Sequence, residues 1–129
     1  MRHLYPYIAV GLGSAVGSLL RYLVSVFSIS LFGSHFPWGT LVVNILGSWL
    51  IAWLSILGAH YTHGFVARWQ PFLVAGFCGG FTTFSLFSLE TIHLISLGYP
   101  VWALLYVLIS LPLWIFAAWH GQNLARKMC

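Results

Sequence analysis

Gly76-Phe77-Cys78-Gly79-Gly80-Phe81-Thr82-Thr83-Phe84-Ser85-Leu86-Phe87-Ser88-Leu89-Glu90 sits inside a hydrophobic segment that runs from about Pro71 to Leu97. Three glycines fall within five positions, and two threonines and a serine follow soon after. A glycine in a helix interior costs about 1 kcal/mol against alanine, and β-branched threonine adds a smaller penalty. The run therefore predicts a break in a membrane-spanning helix. A break frees backbone carbonyls and amides that lipid cannot satisfy, so it survives only where protein or a polar path supplies partners. Discontinuous helices of this kind often mark ion sites. Past the glycines, Phe81, Phe84 and Phe87 step by three and are expected on one face, with Ser85 and Ser88 beside them. The alternative reading is packing, in which glycines admit close helix approach and rings fill space.

The rest of the chain supports a membrane setting. Of 129 residues, 60% are hydrophobic and only 5% are charged, and the mean hydropathy is +0.94. Soluble chains carry about 25% charged residues. A soluble domain of this size has too little interior to hide so much apolar surface. A spanning helix needs about 20 apolar residues. The length therefore allows four spans in one domain, placed at about 5–32, 38–59, 71–97 and 101–121. The fold class expected is an all-α membrane protein with its third helix broken. The first segment shows no small-residue cleavage site and is read as a retained span. Cys78 lies inside a span and Cys129 ends the chain, so both are read as free thiols. The basic residues flank spans, which points to orientation and anionic headgroups and against nucleic acid.

In the first span, Ser14, Ser18, Arg21, Ser25 and Ser28 recur at spacings of four and three and form one stripe. Gly13 and Gly17 make a G-x-x-x-G surface for close approach. Arg21, within the span, is a functional candidate, with helix positioning as its alternative role. In the second span Thr40, Asn44, Gly47 and Ser48 share a face. Asn44 carries amide donors and an acceptor that cannot stay unpaired in lipid. It must meet another helix or a polar path. The His60–Gln70 stretch reads as a loop, and its H-x-x-H pair lacks the acids or thiols of a metal site. In the fourth span Tyr106 and Ser110 lie one turn apart, Pro112 is expected to kink the helix or free a carbonyl, and Trp114 and Trp119 read as packing and interface anchors.

The chemistry asked of these residues is weak anion binding. One acid, Glu90, excludes paired-carboxylate catalysis within a chain. No nucleophile–base pair or phosphate loop is evident, so an enzyme is not expected. An anion crossing lipid must replace its hydration without being trapped. Asn44, the Thr and Ser hydroxyls, Tyr106 and the positive edges of phenyl rings are donors of suitable strength.

The central stretch, read as Gly-Phe-Cys-Gly-Gly-Phe-Thr-Thr-Phe-Ser-x-Phe-Ser-x-Glu, resembles the third-helix signature of the Fluc fluoride channels, also called CrcB proteins. Gly39-Thr40-Leu41 with Asn44 and Gly47 resembles the family's second-helix run. Gly13–Gly17 followed by Arg21-Tyr22 resembles its first-helix pattern, and the fourth helix matches loosely. The resemblance implies a passive fluoride channel in the bacterial plasma membrane, built as an antiparallel dimer with two narrow pores at the interface. It implies that Phe84 and Phe87 supply ring edges and that Asn44, Ser88, Tyr106 and Ser110 border the ion path. Arg21 and Glu90 fall in vestibule or helix-positioning places. Backbone carbonyls of Gly79 and Thr82, one pair from each subunit, would hold a structural sodium ion. Leu86 replaces a usual threonine, and Trp114 stands where a small polar residue often extends the polar track, with Pro112 unusual nearby.

The runner-up is a proton-coupled exporter of the small multidrug-resistance type, which also has four helices and antiparallel dimers. That class needs a glutamate in its first helix, where this chain has Arg21 and no acid. A non-conducting assembly subunit is a third reading. Arg2, Arg68, Arg126 and Lys127 lie on one side of the expected topology, and the loops at Gly33–Pro37 and Gly98–Pro100 hold no lysine or arginine. The positive-inside rule then places both termini in the cytoplasm. An antiparallel dimer needs both orientations, so either the chain inserts both ways as a homodimer, which is favoured, or it pairs with an oppositely biased sister chain.

Overall fold

The computed structural model describes residues 3–129, so Arg2, counted above among the flanking charges, lies outside the described residues. Four helical stretches are long and apolar enough to cross a membrane: Tyr5–Phe32, Trp38–His60, Phe65–Ser96 and Pro100–Met128. The first is helix α1 (Tyr5–Phe32) and the second α2 (Trp38–His60). The third span is composite. It comprises α3 (Phe65–Gln70), a π-helical segment (Pro71–Cys78), a single turn α4 (Gly79–Phe81) and α5 (Ser85–Ser96). The fourth is α6 (Pro100–Met128). Gly33 ends α1 at φ 77° and Gly98 ends the third span at φ 85°, a left-handed backbone that glycine adopts without strain.

Several expected boundaries move. Most of the stretch read as the His60–Gln70 loop is helical, because Phe65–Gln70 forms α3. Pro71 does not begin the span. It continues it and opens the π-helical segment, consistent with a proline that removes one N–H and crowds the preceding turn. The fourth helix does not stop near Gly121 but runs on to Met128, through residues that favour helix. It also passes unbroken through Pro112.

The break itself is displaced from the glycines. Gly76, Gly79 and Gly80 are all helical, and the chain leaves the helix at Thr82, whose φ is −84° and ψ 159°. Gly76 and Gly80 instead pack against Gly13 and Gly17. A Cβ on Gly76 would lie 2.8 Å from the Val10 carbonyl and 2.9 Å from the Gly13 Cα, and one on Gly80 would run into the Ser14 carbonyl. Ser14 and Ser18 sit beside this seam and donate to the Gly76 and Gly80 carbonyls at 3.3 and 3.4 Å. The stripe expected on α1 is thus divided: Ser14 and Ser18 face the third span and take up glycine carbonyls there, whereas Ser25 packs against Gly39 of α2.

The other seam joins α2 to α6. Gly121 lets α6 approach the Trp49 backbone, where a Cβ would meet the Trp49 carbonyl oxygen. The core lies between α2, α5 and α6, where Leu41, Phe87, Leu94, Ala103, Tyr106 and Trp114 are buried together. At one end of the bundle the Tyr5 hydroxyl donates to the Arg68 carbonyl at 2.8 Å and the Tyr61 hydroxyl to the Met128 carbonyl at 3.0 Å. Arg68, Arg126 and Lys127 are therefore gathered at the same end.

The glycine seam makes a direct prediction. Gly17→Val puts side-chain atoms into the Phe77 backbone, whereas Gly11→Val meets nothing within 4 Å. Both carry the same loss or gain of helix propensity, so denaturant unfolding in micelles should separate them. Gly17→Val is expected to be less stable by about 1–3 kcal/mol relative to Gly11→Val. Equal stability would refute the seam.

Candidate functional site

The broken backbone is closed from α2. Asn44 is buried and its side-chain amide pairs with the Thr83 peptide in both directions. Its Nδ2 donates to the Thr83 carbonyl at 2.8 Å, and its Oδ1 accepts from the Thr83 N–H at 2.8 Å. The expected need for a partner is met by the other helix's backbone, which leaves one amide hydrogen of Asn44 for anything else. Thr83 also starts the next helix, its Oγ1 accepting from the Leu86 N–H at 3.2 Å. Thr82 turns its hydroxyl to the Cys78 carbonyl at 2.9 Å. The carbonyls of Gly79, Phe81 and Thr82 receive no protein donor among the described residues. Gly79 is exposed, and nothing lies within 4 Å of the place its Cβ would take.

Beyond the break the rings divide. Phe81 does not share a face with Phe84 and Phe87, because the chain between them is not helical. It stacks on Phe77 at 5.6 Å and 14°. Phe84 and Phe87 stay together, with ring centroids 5.5 Å apart. Phe87 is 4% exposed and meets Tyr106 and Trp114 in edge-on contacts at 4.9 and 4.8 Å. Phe84 is 68% exposed on the outer face of the third span. Ser88 is exposed beside it and donates to the Phe84 carbonyl at 3.0 Å.

Glu90 lies one turn further on, half-buried. Thr40 donates to its Oε1 and Tyr106 to its Oε2, each at 2.7 Å. These are short bonds to an acceptor-only group, the stronger kind when the carboxylate is ionised. Tyr106 is wholly buried, between Phe87 and Phe36, the latter edge-on at 5.3 Å. Ser110, one turn on, is wholly buried and its hydroxyl has no hydrogen-bond partner. Trp114 donates its indole N–H to the Leu41 carbonyl at 3.2 Å, so the tryptophan acts in packing, as expected, and closes the α6 polar row above Ser110. Arg21 is half-buried on α1, and both oxygens of Glu90 go to hydroxyls and not to it.

The residues expected at the site thus fall into two groups. Phe84, Phe87, Ser88, Glu90, Tyr106 and Ser110 form one continuous patch with Asn44 at its inner edge. The others lie apart from it: Gly79 is exposed just before the break, Thr82 sets its methyl group against Gly47 of α2, and Arg21 is on α1. Reading the sequence alone missed Thr40 and Thr83 as members. Thr40 is four residues before Asn44 on the same helix face, a spacing that signals its place. Thr83 gives no signal, since its role is played by its backbone.

A cavity of about 540 Å³ opens at the end of the bundle opposite the basic cluster. It is bounded by the α1–α2 loop, the last turns of α5 and the start of α6. Glu90, His35 and His93 line it with Tyr99 and Trp102. Glu90 is its innermost polar group, and Tyr106, Phe87 and Phe84 follow from there in unbroken contact.

Comparison with known proteins gives one consistent answer. The family model described as CrcB-like protein, Camphor Resistance (CrcB), matches residues 8–122. The chain is 39% identical over 123 residues to "Fluoride-specific ion channel FluC 1" of Rhodopseudomonas palustris (strain BisB18), covering 95% of this chain and 87% of that one. It is 45% identical over 119 residues to "Fluoride-specific ion channel FluC" of Agrobacterium fabrum, covering 92% and 94%. The protein of the same name from Rhizobium meliloti is 42% identical over 121 residues, covering 94% and 96%.

Asn44→Leu keeps bulk but strips both partners from the Thr83 peptide. Leaving each group unpaired costs about 1–3 kcal/mol. Hydrogen exchange at the Thr83 and Leu86 amides should then quicken by at least about tenfold, the equivalent of 1.4 kcal/mol. Unchanged exchange there would mean that Asn44 does not hold the break.

Proposed function

The chain belongs to the CrcB family, and from that premise we propose that it is a fluoride-selective channel through which the ion passively leaves the cell. It is a multi-pass membrane protein of the bacterial type, and its chemistry is passage, not catalysis. The observation that carries the reading is the unbroken patch from Glu90 through Tyr106 and Phe87 to Phe84, set beside a helix break at membrane depth. Its donors are hydroxyls, one amide and ring edges. Such groups replace the hydration of a small anion without the grip of a lysine or arginine. The exposed edge of Phe84 and the hydroxyl of Ser88 are the groups a passing ion meets first on the outer face.

The exporter reading is not supported. The relatives are named as fluoride channels, and the first span carries no acid. The lone carboxylate, Glu90, sits on the third span with two hydroxyls bonded to it.

Reconstitution tests the function. Liposomes loaded with fluoride should empty when the purified protein is present, and liposomes loaded with chloride should not. Phe84→Ile and Phe87→Ile keep apolar bulk and remove the ring edge. Each should slow fluoride efflux at least about tenfold, the effect of a barrier raised by 1.4 kcal/mol. Wild-type efflux from both variants would remove the rings from the path. No efflux from the unaltered protein would favour the non-conducting subunit.

We further propose an antiparallel homodimer that covers the outer face of the third span. The exposure of Phe84, Ser88 and Gly79 supports it, since these polar or functional positions would otherwise face lipid. Gly79 and Thr82 suit the proposed sodium ion, because hard cations take oxygen ligands and both carbonyls lack an internal donor. A pair from each subunit would hold it, and its charge would tie the two broken helices together. Cys129 is exposed at the basic end, whereas Cys78 is buried. A membrane-impermeant thiol reagent applied to intact cells should therefore label about half of Cys129 if insertion is dual. No labelling, with no flux from the chain alone, would point to a sister chain. Exchanging sodium for a large organic cation should lower the thermal midpoint of the purified dimer, and an unchanged midpoint would discard the ion.

A further inference from the structure

The cavity above Glu90 has a feature that the channel reading leaves unused. Its wall carries two imidazoles from separate elements. His35 comes from the loop between α1 and α2, and His93 from the last turn of α5. Both are exposed. The groups that face them can be enumerated. Ile29 of α1 and Leu94 of α5 are apolar. Ser34, Phe36 and Pro37 of the loop do not ionise. Glu90 of α5 is a carboxyl group, Tyr99 of the turn a phenol, and Trp102 of α6 an indole. Behind Glu90 stand Thr40 of α2 and Tyr106 of α6, both donating to it. No lysine or arginine lines the cavity.

With both imidazoles neutral, no cationic side chain lines the cavity among the described residues, and the Glu90 carboxyl repels anions whenever it is ionised. With both protonated, the charge of the wall rises by two units. Histidine ordinarily titrates near pH 6.5. A cleft walled by low-dielectric protein focuses such a change and raises the local concentration of the opposite ion.

We propose that His35 and His93 form a protonation-dependent anion-gathering mouth, which recruits fluoride above Glu90 when the adjoining water is acidic. The proposal rests on the channel reading and names two further residues that act on it. Neither imidazole reaches the ring patch, so they act on entry and not on the narrow path.

The test is fluoride efflux from liposomes holding the purified dimer, with pH set equal on both sides and leakage from protein-free liposomes subtracted. Lowering the pH from about 7.5 to about 5.5 crosses the imidazole range. Wild-type efflux should rise on the order of tenfold. The double variant His35→Gln with His93→Gln should lose most of that ratio. The double variant His35→Lys with His93→Lys, whose charges are fixed, should show little pH dependence. Single glutamine variants should each keep part of the ratio. A flat wild-type profile overturns the proposal whatever the variants do, and so does a double glutamine variant with the wild-type ratio. Absence of fluoride efflux at every pH would instead overturn the channel reading itself.

Discussion

Hydrocarbon supplies no hydrogen bonds, so the Thr83 peptide, left outside any helix, must find both its partners in protein. Asn44 supplies both at 2.8 Å. That pair of hydrogen bonds sets the register between α2 and the second half of the third span. Moving back one turn on α2, from Asn44 to Thr40, corresponds to moving forward from Thr83 to Glu90, and these meet at 2.7 Å. The two helices therefore run in opposite senses here. The same register buries Phe87 against Tyr106 and Trp114 and leaves Phe84 outside. The patch from Glu90 to Phe84 is a consequence of how the break is closed.

A second constraint fixes the first half of the third span. Gly13 and Gly17 on α1 oppose Gly76 and Gly80, and their backbones approach too closely for a Cβ on either side. Small residues at such contacts let helices pack where no hydrophobic drive exists between them. The two halves of the third span are thus anchored differently. The first packs mainly on α1 and also touches α2, whereas α5 packs on α6 and is tied to α2 by the Thr40–Glu90 hydrogen bond, with Asn44 holding the Thr83 backbone just before it. A hinge between two separately anchored halves can keep an irregular geometry that neither anchor alone would enforce.

The sequence displays much of this, though not all. Four spans follow from composition and length, and the polar face of α2 and the glycine pairs follow from spacing. What spacing cannot tell is which glycines pack and which break a helix. Gly76 and Gly80 have the same four-residue interval as Gly13 and Gly17, and partners on another span decide the matter. The break was therefore expected at the glycines and lies at Thr82–Phe84. Phe81 was misplaced for the same reason, since a step of three means a shared face only inside a continuous helix. The need of Asn44 for a partner was legible. That its partner is a backbone peptide 39 residues away was not, because a peptide has no side-chain signature. Pro71 reads as the start of a span, yet the helical backbone runs through it, and α6 is likewise continuous through Pro112.

Trp114 bears on the proposed dimer. A small polar residue there would extend the α6 row beyond Ser110. The indole instead fills the space, lies edge-on to Phe87 at 4.8 Å and spends its only donor on the Leu41 carbonyl. Nothing above Ser110 on this row remains to meet an ion. The interior route along α6 is closed, and the open groups of the patch, Phe84 and Ser88, lie on the outer face of the third span. In lipid that face would set a polar hydroxyl and freed carbonyls against acyl chains, a costly arrangement. The proposed second subunit removes that cost by supplying the missing wall. In that proposed dimer the pore would lie at the interface, where Phe84 and Ser88 are open, and not inside a chain whose α6 row Trp114 fills.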